Sequence, residues 1–201
     1  MRYVKTEKDV NVKTMSILFL DLETDGVISP KGDFTNQKII QISYQIHEKD
    51  IQIIKVNDFI KGVEYIKDIE GMNRVTVEFL NENGIELQDS LEKLVNNVNS
   101  YNVVKIVCHN TNFDLKILNR ELNNFNMFFE KDLEEVCTMQ LSTDYCKIPF
   151  NSYSKRFKWP TLFELAEKLD IVVDNNKLHD ASYDVEILQK CFTSLNKILN
   201  Y

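Results

Sequence analysis

The sharpest pattern in the chain lies at Ser16 to Gly26, which reads S-I-L-F-L-D-L-E-T-D-G. An apolar run rich in Ile, Leu and Phe ends on a Thr-Asp-Gly turn signal, as in a strand buried on both faces. Strand side chains alternate, so Ile17, Phe19, Asp21 and Glu23 share one face. Two carboxylates therefore sit side by side at the C-terminal end of a central strand. Before it, residues 1–15 read as a polar leader, with a short edge strand near Tyr3 and Val4. After it, Val27 to Lys38 carries Pro30, Gly32, Asp33 and Asn36 and reads as a loop. Ile39 to His47 alternates, with Ile40, Ile42, Tyr44 and Ile46 on one side. Ile51 to Ile60 is β-branched, and the short Glu48-Lys49-Asp50 turn makes the two a hairpin.

Helical spacing takes over at Thr76 to Tyr101, as one short and one longer helix broken at Gly84. Leu87, Leu91, Leu94, Val95 and Val98 form the stripe of the second. Val103 to Cys108 is another apolar strand, running into the N-cap candidates of His109-Asn110-Thr111-Asn112. A helix follows over Phe113 to Asn124, then a weaker strand over Glu135 to Met139 and an irregular aromatic stretch from Asp144 to Trp159. Pro160 precedes a helix of about ten residues from Thr161, and the last helix runs from near Asp180 towards Leu199. A hairpin beside strands separated by helices predicts an α/β fold, a mixed β-sheet flanked by helices, in a single domain over residues 16–201.

Length and composition change this picture little. A chain of 201 residues is the size of one domain and buries roughly 70% of its unfolded surface. Its 43% hydrophobic and 27% charged content are ordinary for a soluble globular protein. The net charge of −7 argues against a protein that coats polyanions generically. It leaves a nucleic-acid enzyme open, because a carboxylate site loaded with divalent metal is locally far less negative than the sum. Cys108, Cys137, Cys146 and Cys191 form no C-x-x-C pair and have no zinc-ligand spacing with the three histidines. They read as reduced thiols of an intracellular, cytoplasmic protein, Cys108 and Cys137 as core residues. No apolar run reaches transmembrane length, and the N-terminus is too charged for a signal peptide.

The candidate chemistry is acidic. Asp114 falls near the centre of the stripe Ile117, Leu118, Leu122 and Phe125, where a mere dipole partner would not point. Glu121 has a similar heading. Asp184 flanks the apolar face of the last helix, and His179 sits five residues earlier, at its entry. Singly, each has an ordinary structural use. Together, Asp21, Glu23, Asp114 and Asp184 lie where open α/β sheets form sites, beyond the carboxyl ends of strands. Converging carboxylates suit Mg²⁺ or Mn²⁺. Two such ions about 4 Å apart activate water and stabilise both oxygens of an in-line phosphoryl displacement. A neutral imidazole at His179 would take the proton from that water.

These residues resemble the three motifs of the DEDDh exonuclease superfamily, which includes the proofreading subunit of bacterial DNA polymerase III, RNase T and oligoribonuclease. The first is matched by Asp21-Leu22-Glu23-Thr24-Asp25-Gly26, the second by His109-Asn110-Thr111-Asn112-Phe113-Asp114, the third by His179-Asp180-Ala181-Ser182-Tyr183-Asp184. Trp159-Pro160-Thr161-Leu162-Phe163-Glu164-Leu165 also resembles a stretch before the third motif. The resemblance spans Ile17 to Leu195 and implies an RNase H-like fold with a mixed five-stranded sheet. It implies 3′→5′ hydrolysis of single-stranded DNA or RNA to nucleoside 5′-monophosphates. Asp21, Glu23, Asp114 and Asp184 would hold two Mg²⁺ (or Mn²⁺) ions, with His179 as general base. Thr24 would contact the terminal sugar, and Asn110 and Phe113 would support the substrate. The implied partners are single-stranded DNA or RNA 3′ ends, with a polymerase or another replication or repair protein.

Lys147, Lys155, Arg156 and Lys158 are interleaved with Phe150, Tyr153, Phe157 and Trp159, and no acid interrupts them. Lys155, Arg156 and Lys158 are candidates to hold phosphates beside stacking aromatics. The competing structural use packs Phe157 and Trp159 under the next helix. For the whole chain three further readings stay open: an exoribonuclease, a non-catalytic nucleic-acid-binding scaffold on the same fold, and an RNase H-like endonuclease.

Overall fold

The computed structural model describes residues 14–27, 36–67, 75–151, 153 and 155–199. The leader strand expected at Tyr3 and Val4, and most of the loop expected after Val27, lie outside the described residues. Five strands form one mixed sheet: β1 (Ser16–Thr24), β2 (Ile39–Glu48), β3 (Ile51–Phe59), β4 (Val103–Cys108) and β5 (Glu134–Cys137), in the order β3-β2-β1-β4-β5. The hairpin pairs β2 with β3 antiparallel, and β1 also lies antiparallel to β2. β1–β4 and β4–β5 are parallel, connected through helices as parallel pairing requires. The sheet is therefore mixed and five-stranded, as expected.

Two helices, α1 (Val77–Asn83) and α2 (Leu87–Ser100), separate the hairpin from β4, and α3 (Thr111–Asn124) follows β4 directly. Beyond β5 come two single turns, α4 (Thr138–Leu141) and α5 (Thr143–Cys146), then α6 (Leu162–Lys168) and α7 (Ala181–Leu199). Several boundaries differ from the sequence reading, among them the start of α3, at Thr111 rather than Phe113. The strand ends at Cys137 because Thr138 is buried and starts α4, and the helix after Pro160 has seven residues rather than ten. Thr161 and Glu164 close a capping box that fixes where α6 begins.

The sheet is the middle of three layers. Leu18, Leu20 and Leu22 of β1 pack with Ile42, Tyr44 and Ile46 against Leu91, Leu94 and Val98 of α2 and Leu115 and Leu118 of α3. On the other face Phe19, Val107 and Val136 meet Val185, Leu188 and Phe192 of α7. Farther along α7, Ile187, Cys191 and Leu195 pack with Leu165 and Ala166 of α6. Asp21 and Glu23 thus fall on the α7 side. β2 departs from simple alternation. Its second face, Gln41, Ser43, Gln45 and His47, is polar yet buried. Most of their polar atoms pair with one another or Asn57: Gln41 and Ser43 both donate to Asn57 Oδ1 at 2.8 Å, and His47 Nε2 lies 2.9 Å from Gln45 Oε1, while His47 Nδ1 has no partner among the described residues. All four cysteines are free thiols, with Cys137 only partly buried. No helix among the described residues is long and apolar enough to cross a membrane.

Candidate active site

β1 outruns its parallel neighbour. Its pairing with β4 ends at Phe19–Val107, while β1 continues to Thr24. The Leu22 N–H beyond that point donates to Asp114 Oδ1 at 3.2 Å. This bond explains why an acid in the first turn of α3 points inward, with only 3% of Asp114 exposed. Asn110 caps α3 with its carbonyl, which accepts from Phe113 and Asp114 N–H; its side chain makes no capping bond. From the opposite layer, α7 brings Asp184. His179 adopts a left-handed backbone (φ 64°), which folds its N–H back onto Asp184 Oδ2 at 3.2 Å. Glu23, His179 and Asp184 each offer a ligand atom, all within 4.8 Å of one another.

The electrostatics follow from this convergence. Burial, and then the charges of Asp114, Glu23, Asp184 and Asp180, push the Asp21 carboxyl well above the usual carboxylate range. Burial, followed by Asp184, Asp114 and Asp180, lifts Glu23 to about 8. Asp114 rises to about 7 through burial, opposed by the Leu22 N–H. Asp184 also rises to about 7, through burial and Asp180 against the His179 N–H. The named charges acting on Asp21 and Glu23 are all negative. Asp184 Oδ1 is sealed from solvent and has no hydrogen-bond partner. Mutually repelling carboxylates and an orphaned oxygen form a donor set that hard divalent cations would satisfy.

Sequence reasoning left several contributors unassigned. Asp180 is a fifth acid in the cluster. Its Oδ1 accepts from Ser182 N–H at 2.9 Å, capping α7, and from Gln41 Nε2 at 3.3 Å. Gln41 pairs in register with Glu23 across β1–β2, so the buried polar face of β2 reaches the site. An interior Gln on a period-2 strand was the available signal. Asp25 is buried and ties Val27 and Lys38 N–H to one oxygen, 3.1 Å each, holding both ends of the segment between them. His109 bridges Thr138 Oγ1 and the Pro160 carbonyl, both at 3.0 Å, and burial drives its pKa down to about 4. A neutral ring donating Nε2–H to Pro160 fits both contacts.

Some expected site residues are otherwise engaged. The Thr24 hydroxyl is buried and donates to Gln37 Oε1 at 2.9 Å, so it could meet a sugar only as an acceptor. Phe113 packs against the larger core. Glu121 pairs with Arg120 at 2.5 Å and is not among the acids acting on Asp21. Lys158, on the same stretch, has its ammonium paired with Glu164 Oε1 at 2.5 Å, the carboxylate that also closes the capping box. Lys155 and Arg156 are exposed. Phe157 and Trp159 are also exposed rather than packed beneath α6.

A three-layer α/β protein with carboxylates gathered beyond the ends of its central strands belongs to the class that handles divalent metal and phosphate chemistry. The exonuclease family model, of the RNase T type, matches residues 18–192, and the chain belongs to that family, within the DEDDh superfamily. The chain is 27% identical over 201 residues to the PolC-type DNA polymerase III of Mycoplasma genitalium, covering 99% of this chain and 13% of that protein. It is 28% identical over 185 residues to the corresponding protein of Mycoplasmopsis pulmonis, covering 92% and 12%. The chain thus spans about an eighth of the length of these relatives. Its fold is RNase H-like. E. coli exonuclease I, in a zinc-bound complex with single-stranded DNA, superimposes with a TM-score of 0.69 at 16% identity, over 92% of this chain and 41% of that one.

Proposed function

We propose that the chain is a metal-dependent 3′→5′ exonuclease that removes nucleoside 5′-monophosphates from single-stranded ends, DNA rather than RNA. The observation that carries this reading is the convergence of acids at the end of β1: Glu23, His179 and Asp184 bring ligand atoms within 4.8 Å of one another, and the half-buried Asp21 carboxyl beside them feels the charges of Asp114, Glu23, Asp184 and Asp180. Such a cluster is costly to a protein that only binds or scaffolds, and it becomes favourable when divalent cations join it.

Asp21, Glu23, Asp114 and Asp184 would hold two Mg²⁺ or Mn²⁺ ions. Bound there, the ions would supply an activated water and neutralise charge on the attacking and leaving oxygens. The remaining work falls to the chain. The Leu22 N–H fixes the rotamer of Asp114, and the His179 N–H fixes Asp184. The His179 ring is exposed at the rim beside Glu23 and Asp184, where it can take the proton from water attacking phosphorus. The end of β1 at Thr24, with Asn110 and Phe113 at the head of α3, would support the terminal nucleotide. The DNA preference is supported by the PolC-type relatives, which are DNA polymerases by name. The same likeness supports a polymerase, or another replication or repair protein, as partner.

The test is a denaturing-gel time course on 5′-labelled single-stranded DNA and RNA of one sequence, with Mg²⁺, Mn²⁺ or EDTA. A ladder shortening from the 3′ end, dependent on metal and faster on DNA, is expected. Faster loss of RNA would reverse the sugar assignment. Cutting of circular strands as readily as linear ones would make the enzyme an endonuclease. No degradation of either strand with binding retained would favour the scaffold.

A further inference from the structure

The segment between α5 and α6 is not used by the chemistry above, yet its described arms are held in place by hydrogen bonds. Its two arms pair antiparallel at Pro149 and Phe157. Phe150 N–H donates to the Arg156 carbonyl at 3.1 Å, and Lys158 N–H to the Ile148 carbonyl at 2.9 Å. One foot is the buried Cys146. The other is tied twice, by Lys158 to Glu164 and by the Pro160 carbonyl to the His109 ring. His109 opens the same motif that ends in Asp114, so this hairpin is moored to the turn between β4 and α3 that leads into Asp114.

The hairpin presents aromatic rings to solvent. Trp159 is 60% exposed and Phe150 69%. Together with Phe157, Arg156 and Lys158 they line an open groove of about 490 Å³, large enough for a base and its sugar. Exposed rings of this size have no folding role to explain them. Charge identifies what they meet. From Tyr145 to Trp159 the sequence holds Lys147, Lys155, Arg156 and Lys158 and no acid, in a chain of net charge −7. An acidic chain that concentrates cations and exposed aromatics on one hairpin suits a polyanion with planar rings.

We infer that this hairpin is a stacking subsite for the single strand upstream of the scissile bond: Trp159, Phe150 and Phe157 take a base, and Lys155 and Arg156 hold flanking phosphates. The inference rests on the proposed exonuclease reading and gives it a second contact away from the 3′ end. Lys158 serves instead to brace the groove against α6 through Glu164.

Trp159 is the chain's single tryptophan, so its fluorescence reports on this groove alone. The experiment titrates the full chain with a phosphorothioate oligothymidylate in Mg²⁺, reading Trp159 emission and, in parallel, the anisotropy of a labelled strand. Saturable quenching that tracks anisotropy is expected. Phe150→Ala should weaken binding roughly 5- to 150-fold, the range for losing one base–aromatic stack. A Lys155→Gln, Arg156→Gln pair should lower the slope of log affinity against log salt by about 1.4, or 0.7 for each lost phosphate contact on a single strand. Strand binding by anisotropy with unchanged Trp159 emission would overturn the subsite and leave the exonuclease reading standing. Quenching by a polyglutamate peptide but not by the strand would also overturn it, and assign the groove to an acidic protein partner. Quenching by the phosphorothioate strand, with no metal-dependent hydrolysis of the unmodified strand of the same sequence, would instead keep the groove as a strand-binding site and sink the exonuclease.

Discussion

His179 shows how a single residue can carry two separable properties. Its backbone lies in the left-handed region, which most side chains avoid, and its N–H holds Asp184. Its ring reaches the carboxylates independently of that bond. Asparagine tolerates a left-handed backbone better than most residues. His179→Asn should therefore keep the fold and the Asp184 contact while removing the base. Turnover should fall by roughly 10²- to 10⁴-fold with a melting temperature within a few degrees of the parent. A large loss of stability would mean the ring is structural. Asp114 gives the complementary case. Asp114→Asn retains an acceptor for the Leu22 N–H but removes a buried charge from a cluster of like charges. In EDTA at pH 8 the variant should melt higher than the parent, and its response to Mg²⁺ should shrink. A lower melting temperature in EDTA would contradict the repulsion argued from the neighbours of Asp21.

At the scale of elements, the start of α7 is set by a chain of hydrogen bonds across the sheet. Asn57 of β3 accepts from Gln41 of β2, and Gln41 donates on to Asp180 at the entry of α7. Gln41→Met should remove one donor each from Asn57 Oδ1 and Asp180 Oδ1, which keep Ser43 and the Ser182 N–H, and cost about 0.5–1.5 kcal/mol, readable in urea denaturation. Because α7 carries Asp184, turnover should fall with little change in KM. Gly84 marks a different dependence. As a helix breaker it was legible in sequence, but its backbone is ordinary (φ −80°). The need for glycine comes from close approach. A Cβ there would lie 2.5 Å from the Leu80 carbonyl oxygen and 2.8 Å from Lys61 N, both backbone atoms that cannot swing aside. Gly84→Ala should destabilise by about 1–3 kcal/mol, and an unchanged urea midpoint would show that α1 can shift on the sheet.

For the whole molecule, the acidic cluster couples stability to pH and to metal. The folded carboxyls of Glu23, Asp114 and Asp184 titrate near 8, 7 and 7, above the ordinary carboxylate range. Acids whose pKa is raised on folding favour the folded state at low pH and lose that contribution as pH climbs through the folded values. Without metal the protein should be more stable near pH 5 than near pH 8. Divalent cations bind the deprotonated form, so Mg²⁺ should raise the melting temperature far more at pH 8 than at pH 5. Scanning calorimetry in EDTA and in Mg²⁺ across that range checks both signs, and a metal effect independent of pH would contradict them.

What the sequence determined by itself was periodic and local. Alternation put Asp21 and Glu23 on one face of β1, helical spacing turned Asp114 inward, and the hairpin and helix order defined a mixed sheet between helices. Motif spacing over nearly the whole chain pointed to the exonuclease superfamily. What only the tertiary structure decided were encounters between faces. Periodicity says that a face is buried but not what it meets, so the polar second face of β2 under α7 was invisible, and with it the link from Gln41 to Asp180. Asp180 joined the cluster because α7 packs across β1 and β2, a contact between segments more than a hundred residues apart. Lys158 was one of four equivalent cations in sequence until the capping box at Thr161 aimed Glu164 at it. Trp159 and Phe157 were equally good core residues by hydropathy, and only the bridge at Pro149 and Phe157 turned the hairpin so that they face solvent.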